Sequence, residues 1–137
     1  MNGQLAAAMA AEVAAIYAYG ILGVHLATAA QVNEARAAET AHRNRRDYLL
    51  GRMNQPEAAP AGYELPFPVI DPASALRLAV HIEDGVAQAW RPVLGASQGA
   101  DREAALAALT DAAVRASRWR RIAGVSPATM AYPGKAS

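Results

Sequence analysis

The sequence predicts an all-α protein, an antiparallel four-helix bundle in which one long crossover joins the second and third helices. Hydrophobic residues recur at steps of three and four through four long segments, and three of those segments begin with a capping signal. A proline-rich stretch separates the second segment from the third. The 137 residues, 53% of them hydrophobic, suit one globular domain over residues 1–137 and are too few for two.

The first two helices are predicted as an antiparallel hairpin, the first over about residues 3–26 and the second over about 29–54. A capping box at Thr28 to Gln31 marks the start of the second helix. The inner stripe of the first helix contains Leu5, Met9, Glu12, Ile16, Tyr19, Gly23 and Leu26. That of the second contains Ala35, Glu39, His42, Arg46, Leu49 and Met53. Both stripes therefore carry ionisable groups where a merely structural bundle would carry apolar ones.

Residues 55–71 are predicted to be an irregular crossover, because they contain Pro56, Pro60, Gly62, Pro66 and Pro68. A segment of about seventeen residues can extend to roughly 55 Å, whereas a helix of about 25 residues is only roughly 37 Å long. The segment is therefore long enough to cross the whole bundle. On either side of it, the two helices of each hairpin are joined by a short turn.

The last two helices are predicted over about residues 72–95 and 101–123. Asp71 followed by Pro72 is an N-cap with proline at the first helical position, Asp101 is the expected cap of the fourth helix, and Gly124 is its expected stop. Residues 125–137 contain two further prolines and are predicted to form an irregular tail.

Four polar groups are predicted to meet inside the bundle. Glu39 and His42 form a Glu-x-x-His pair on one helix face, and the rise of about 1.5 Å per residue places Glu12 and Glu83 at the same height. On the fourth helix the matching stretch offers Asp111, but Val114 stands where a second histidine is needed. The candidate metal ligands are Glu12, Glu39, His42, Glu83 and Asp111.

The connectivity and the Glu-x-x-His pair resemble the ferritin-like superfamily. Residues 10–20, 42–47, 65–69 and 109–115 are similar to an uncharacterised ferritin-like family of Ala-rich bacterial proteins, in which the Leu-Pro-Phe-Pro of residues 65–68 is the distinctive part. The likeness covers roughly residues 4–124. It implies a ferritin-like fold, and it carries superfamily metal roles only onto Glu12, Glu39, His42 and Glu83. The family implies no established reaction.

Two functions are compatible with this degenerate site. In the first, Arg46, Arg115 and Arg118 compensate the buried carboxylates, no cofactor is bound, and the protein is a non-enzymatic binding or interaction module. In the second, the residual ligands bind iron or manganese for redox or ferroxidase-type chemistry. Whether the protein is an enzyme stays open between them. No Ser-His-Asp or phosphate-loop pattern indicates a hydrolase or a transferase.

Two other features have competing interpretations. Tyr19 shares the stripe of Glu12, so it either hydrogen-bonds to the polar cluster or serves as ordinary core. Arg115, Arg118, Arg120 and Arg121 surround Trp119 and form the most concentrated basic segment. This segment either binds an acidic partner or RNA backbone, or complements the helix dipole near a C-terminus, and the second interpretation is favoured.

Helix one is apolar on nearly all sides, which predicts that it is buried on two faces, one inside the bundle and one against another protein surface. We expect Val13, Tyr17, Ile21 and Val24 to pack on a second copy in a symmetric homodimer. A net charge of +1 argues against nucleic-acid or membrane partners. The absence of cysteine and of a basic cluster before the first apolar stretch leads us to expect a cytoplasmic protein.

Overall fold

A computed structural model describes residues 2–53 and 63–135, and these contain four α-helices and no strand. The helices are α1 (Asn2–Leu22), α2 (Ala29–Arg52), α3 (Pro72–Ala96) and α4 (Gly99–Ala123), with a 3-10 turn at Gly23–His25. The predicted all-α class is confirmed. The first helix is shorter than predicted because its last turn tightens into the 3-10 form, a common way for a helix to end.

Local capping chemistry fixes most of the helix ends. Thr28 accepts a hydrogen bond from the backbone nitrogen of Gln31 at 3.1 Å and so starts α2. Asp71 and Ser74 form a reciprocal capping box at the start of α3, with proline in the first turn. Gly124 ends α4 with a φ of 74°, a left-handed conformation that glycine adopts without steric cost.

The start of α4 differs from the prediction. The helix begins at Gly99 after Gln98, which makes no side-chain capping bond. Asp101 instead accepts hydrogen bonds from Tyr48 at 2.7 Å and from Arg52 at 2.6 Å. The prediction of Asp101 as the N-cap was therefore wrong, because its carboxylate binds side chains of α2 rather than the backbone of its own helix.

The helices differ in how closely they pack. The largest contact joins α3 to α4, and α1 packs against both α3 and α2. Alanine fills much of the interior, including Ala8, Ala79 and Ala112, and so allows the backbones to approach. Between α2 and α4, long side chains form ion pairs instead, as in Arg45 to Asp111 and Arg52 to Asp101.

Only part of the predicted crossover lies within the described residues, since 54–62 fall outside them. In the described part, Tyr63, Leu65, Phe67 and Val69 pack against the core. Tyr63 also meets Tyr17 of α1 edge to face, with ring centroids 6.1 Å apart. This segment therefore covers some of the outer face of α1.

Among the described residues, Gly3–His25 form a stretch that is long and apolar enough to cross a membrane by length and composition. About 39% of its most apolar window is buried within the protein. The middle of the stretch carries Glu12, whose carboxylate is bonded to α2 and α3. One face of α1 therefore packs inside the bundle, whereas Val24, in the 3-10 turn that follows α1, is 80% exposed.

Residues 125–135 have no regular secondary structure and lie against α3 and α4. Arg91 on α3 donates a hydrogen bond to the carbonyl oxygen of Pro133 at 2.9 Å. Gly134 sits so close to α3 that an added Cβ would lie 2.7 Å from the carbonyl oxygen of Ala87. The described part of the tail is irregular, as predicted, and it lies on the surface beside α4.

Candidate functional site

Three of the predicted polar groups meet in the interior. His42 of α2 lies between two carboxylates, with Nδ1 at 2.5 Å from Oε1 of Glu12 and Nε2 at 2.8 Å from Oε2 of Glu83. Glu12 and Glu83 are fully buried and His42 is 1% exposed. The predicted match in height between α1, α2 and α3 therefore holds for these three side chains.

Three aromatic side chains extend this cluster in both directions. Trp90 of α3 donates its indole N–H to Oε2 of Glu12 at 2.8 Å. At the other end, the Tyr19 hydroxyl donates to Oε2 of Glu83 at 2.5 Å and accepts from the indole N–H of Trp119 at 3.0 Å. We call the continuous chain of six side chains the buried network; its members are Trp90, Glu12, His42, Glu83, Tyr19 and Trp119.

The hydrogen-bond pattern indicates that His42 is an imidazolium. A neutral imidazole has one N–H, yet both ring nitrogens of His42 face carboxylate oxygens, Nδ1 facing Oε1 of Glu12 and Nε2 facing Oε2 of Glu83. Burial by itself lowers the pKa of His42, but hydrogen bonds and charge from Glu12 and Glu83 outweigh it and raise that pKa from 6.5 to about 9. The imidazole is then charged at neutral pH.

Tyr19 is held in its neutral, hydrogen-bond-donating form. Burial raises the pKa of Tyr19 well above its usual value, and the adjacent negative charge of Glu83 raises it further. Its ring also stacks on the imidazole of His42, with centroids 5.7 Å apart. Of the two interpretations of Tyr19, the structure supports the one in which its hydroxyl binds the polar cluster.

Arg115 of α4 brings a second positive charge to the network. Its Nη1 lies 3.7 Å from Oε1 of Glu83 and donates to Asp111 at 2.7 Å, and Asp111 also accepts from Arg45 at 3.0 Å. Burial opposes ionisation of Asp111, but the two guanidinium groups prevail and lower the pKa of its carboxyl. The site thus holds three carboxylates, one imidazolium and two guanidinium groups, and their charges neutralise one another. These groups come from all four helices.

Glu39 does not reach the cluster, contrary to expectation. Its side chain is 33% exposed and pairs with Arg43 at 3.3 Å. The buried residues of α2 are Ala35, Ala38, His42 and Leu49. A helix of 3.6 residues per turn allows a step of three or four on either side of His42. Ala38, four residues before His42, takes the buried position that was predicted for Glu39, three residues before His42.

The same one-residue offset affects the predicted charge compensation. Arg46 binds neighbouring Asp47 at 3.0 Å and makes no contact with the network, whereas Arg45 contacts Asp111. Arg118 is likewise outside the network: its side chain is 56% exposed and lies 3.4 Å from Glu34. Of the three predicted arginines, Arg115 alone faces the buried carboxylates.

On α4, Val114 was expected to occupy the place of a second histidine ligand, but it is 46% exposed. The buried position is the next residue, Arg115. A cation with fixed charge therefore stands opposite Glu83, in the part of the interior where the fourth helix would supply an imidazole. Asp111 is half-buried and bound to arginines, and it makes no contact with His42 or Glu12.

Sequence reasoning missed both tryptophans and Arg45 as members of the polar interior. A signal for Trp90 and Trp119 was available, since a buried indole N–H needs an acceptor and the carboxylates of the inner stripes are the acceptors at hand. Arg45 carried no comparable signal. Whether Arg45 or Arg46 faces α4 depends on whether the third or the fourth residue after His42 lies on the inner side of the helix.

Most of the potential metal-donor atoms of this site are engaged in hydrogen bonds within the protein. Both nitrogens of His42 and both oxygens of Glu12 are used in hydrogen bonds, as is Oε2 of Glu83. Oε1 of Glu83 is buried without a hydrogen-bond partner, but it faces the Arg115 guanidinium, which repels a cation. Across residues 2–53 and 63–135, no three acidic or histidine side chains are grouped so as to hold a metal ion.

The fold and site define an all-helical protein with a buried carboxylate–histidine network. The chain belongs to the family described as a domain of unknown function, DUF4439, whose model matches residues 4–137. It is also similar to a conserved hypothetical protein, Rv2844, from Mycobacterium tuberculosis, with 40% identity and a TM-score of 0.81. That match covers 88% of this chain and 95% of the solved one. No similar protein was found among curated proteins.

Proposed function

We propose that the chain is a ferritin-like, antiparallel four-helix bundle that works as a non-enzymatic homodimeric binding module. Its degenerate di-metal site serves as a metal-free polar core. The observation that carries this proposal is the position of His42, whose two ring nitrogens are both bonded to carboxylates. A histidine in that state has no lone pair to offer a metal.

Contacts between the helices support the antiparallel topology. Contacts from α2 to α4 join Glu34 to Arg118, Arg45 to Asp111 and Arg52 to Asp101, so residue numbers rise along one helix as they fall along the other. The pairs Asp84 with Arg120 and Leu94 with Arg102 show the same trend between α3 and α4.

Two helices that both oppose α4 run parallel to each other. Joining two parallel helices requires a connection that returns along the bundle, and the ferritin-like crossover is a connection of this kind.

Burial of the network argues against catalysis at this site. Glu12, His42 and Glu83 are between 0% and 1% exposed, so a dissolved substrate has no path to them without local opening. Their charges are already balanced by Arg115 and by the imidazolium itself. A self-neutralised cluster of this kind can join four helices in one register, a role attested for buried polar groups in helical bundles.

A second copy is the proposed occupant of the outer face of α1, a surface that includes the 3-10 turn after the helix. Tyr17 and Val24 remain 44% and 80% exposed, and Val13 and Ile21 are partly exposed beside them. Among the described crossover residues, Tyr63 contacts this face at Tyr17. The face is apolar, which suits an isologous interface.

We also propose a cytoplasmic location, with neither nucleic acid nor membrane as partner.

Metal content tests the proposed core against the competing iron- or manganese-binding function. Protein purified without chelator should contain far less than one equivalent of either metal per chain. Metal-depleted protein titrated anaerobically with Fe(II) or Mn(II) should show no saturable binding. Stoichiometric iron or manganese that is lost in Glu12→Ala and His42→Ala, yet kept in the matched surface variant Glu39→Ala, would overturn the proposal.

A further inference from the structure

Two cavities lie side by side where the C-terminal tail crosses the helices. The first, of about 440 Å³, is bordered by α3, α4 and tail residues 128–134. The second, of about 620 Å³, lies between the same two helices and residues 131–133. Both are lined by Ala113, Val114 and Pro133, so they adjoin. We call the pair the tail cleft.

One end of the tail cleft is basic. Arg118, Arg120 and Arg121 line the first cavity, together with Asp84. Arg120 is paired with Asp84, and Arg118 makes one contact of 3.4 Å with Glu34. Arg121 is exposed and has no ion pair with any described residue. The cavity therefore presents a net positive charge that the surrounding acidic residues do not balance.

An unpartnered hydroxyl lies in the wall of the same cavity. Ser117 is 9% exposed, and its buried Oγ has no hydrogen-bond partner within the described chain. Leaving a buried hydroxyl unpaired costs free energy, so a group of this kind needs an explanation. Because this Oγ is itself buried, the ligand contacts in the cavity are assigned to the arginines alone.

The rest of the tail cleft is apolar. Val114 of α4 is 46% exposed, Met130 is 45% exposed and Tyr132 is 66% exposed, although all three are large hydrophobic residues. Val114 and Tyr132 line the second cavity with Leu94 and Leu109. A ligand bound here would therefore meet charge at one end and hydrocarbon at the other.

We propose that the tail cleft binds a small amphipathic monoanion, an organic carboxylate with an apolar chain. Arg118 and Arg121 would bind the carboxylate, and the chain would lie along Val114 towards the second cavity. This ligand class rests on the proposed function as a binding module. A polyanion such as RNA fits less well, because it needs many unpaired cations and the cavity offers few.

Octanoate is a suitable probe, and backbone amide NMR of the full chain can follow it. Saturable shifts are expected for residues 113–121 and 128–134, with the amide signals of Glu12, His42 and Glu83 undisturbed. Butyrate should bind at least about tenfold more weakly, because it buries fewer methylene groups. Octanol, which has the chain without the charge, should also bind about tenfold more weakly.

Point variants assign the contacts. Arg121→Gln should weaken octanoate about tenfold, since it removes a charge-assisted bond. Ser117→Ala should raise the melting temperature of the free protein, because an unpaired buried hydroxyl is removed, and should leave octanoate affinity close to that of wild type. The matched control is Arg43→Gln, a surface arginine on α2 that lines neither cavity and should leave octanoate affinity unchanged.

Absence of octanoate binding at millimolar concentration would overturn the cleft assignment, as would equal affinity in Arg121→Gln and wild type. Either result leaves the metal-free core intact if the same sample contains no stoichiometric iron or manganese. Conversely, metal in the network together with normal octanoate binding would overturn the proposed core and leave the cleft standing. The two failures can therefore be told apart.

Discussion

His42 on α2 and Glu83 on α3 are joined by a hydrogen bond of 2.8 Å inside the protein, although 41 positions separate them in the chain. The other ring nitrogen of His42 binds Glu12 of α1, so one imidazole connects three helices. Because all three groups are buried, each depends on the charge of the others. The stability of the fold should therefore respond to changes at any one of them.

Raising the pH should destabilise the protein in the range where His42 loses its proton. Because the pKa of His42 is raised in the folded state, its contribution is fully present below about 6.5 and disappears as the pH rises through about 9. The free energy of unfolding should fall by about 3 kcal/mol over this range. Urea denaturation followed by tryptophan fluorescence at several pH values measures it.

His42→Gln is the control for this pH dependence and should show a flat profile between pH 6.5 and 9. Tyr19 also loses its contribution as pH rises, but its raised pKa places that loss above pH 10 and outside this range. A wild-type stability that stays constant up to pH 9 would contradict the assignment of His42 as a buried imidazolium.

Removing one buried carboxylate should be far more damaging than removing an exposed one. Glu83→Ala removes one of the two carboxylate partners of the His42 imidazolium and the buried carboxylate facing Arg115, and it should cost about 3–5 kcal/mol. Glu39→Ala removes only a surface pair with Arg43 and should cost less than about 1 kcal/mol. Chemical denaturation compares them directly. Equal costs for the two variants would argue that Glu83 is not part of a coupled network.

A methyl group at Gly134 should release the tail from α3. Gly134 has a φ of 81° and lies against the carbonyl of Ala87, so Gly134→Ala combines backbone strain with a clash. Amide hydrogen exchange across residues 125–135 should accelerate at least about tenfold. Because the tail borders both cavities, octanoate affinity should fall as well.

Gly124→Ala is the matched control for the tail. It shares a positive φ of 74°, but a Cβ at Gly124 would meet nothing within 4 Å. Strain alone is therefore introduced, at the end of α4, and exchange in residues 130–135 should stay close to that of wild type. Similar acceleration by both variants would show that contact with Ala87 does not hold the tail in place.

The outer face of α1 should control association. Light scattering at micromolar concentration should give the mass of a dimer for wild type and of a monomer for Tyr17→Lys or Val24→Lys, since a buried unpaired charge is costly at an apolar interface. Leu106→Lys, at an apolar residue of α4 that is 53% exposed, is the control and should remain dimeric. A monomeric wild type would refute the dimer, and its partition onto lipid vesicles would favour a membrane surface instead.

The site could be predicted only in part. The common height of Glu12, His42 and Glu83 along the bundle could be predicted from helix length and rise, because each helix begins or ends at a turn whose position is clear in the sequence. Glu39 and Arg46 were misplaced because each lies one residue from an equally good helical position, and hydrophobic spacing cannot choose between steps of three and four when most neighbours are alanine. On α4, the spacing likewise could not decide whether Val114 or Arg115 faces the interior.

By itself, the sequence determined the all-helical class, the helix boundaries to within a few residues at most ends, and the presence of ionisable groups on inner stripes. These depend on local chemistry: capping residues, proline, glycine and the period of the apolar pattern. Tertiary structure alone decided which oxygen each buried donor binds, that Arg115 faces Glu83, and that the tail encloses a cleft on α4. Such contacts depend on helix rotation and on side chains distant in the chain, which no local pattern specifies.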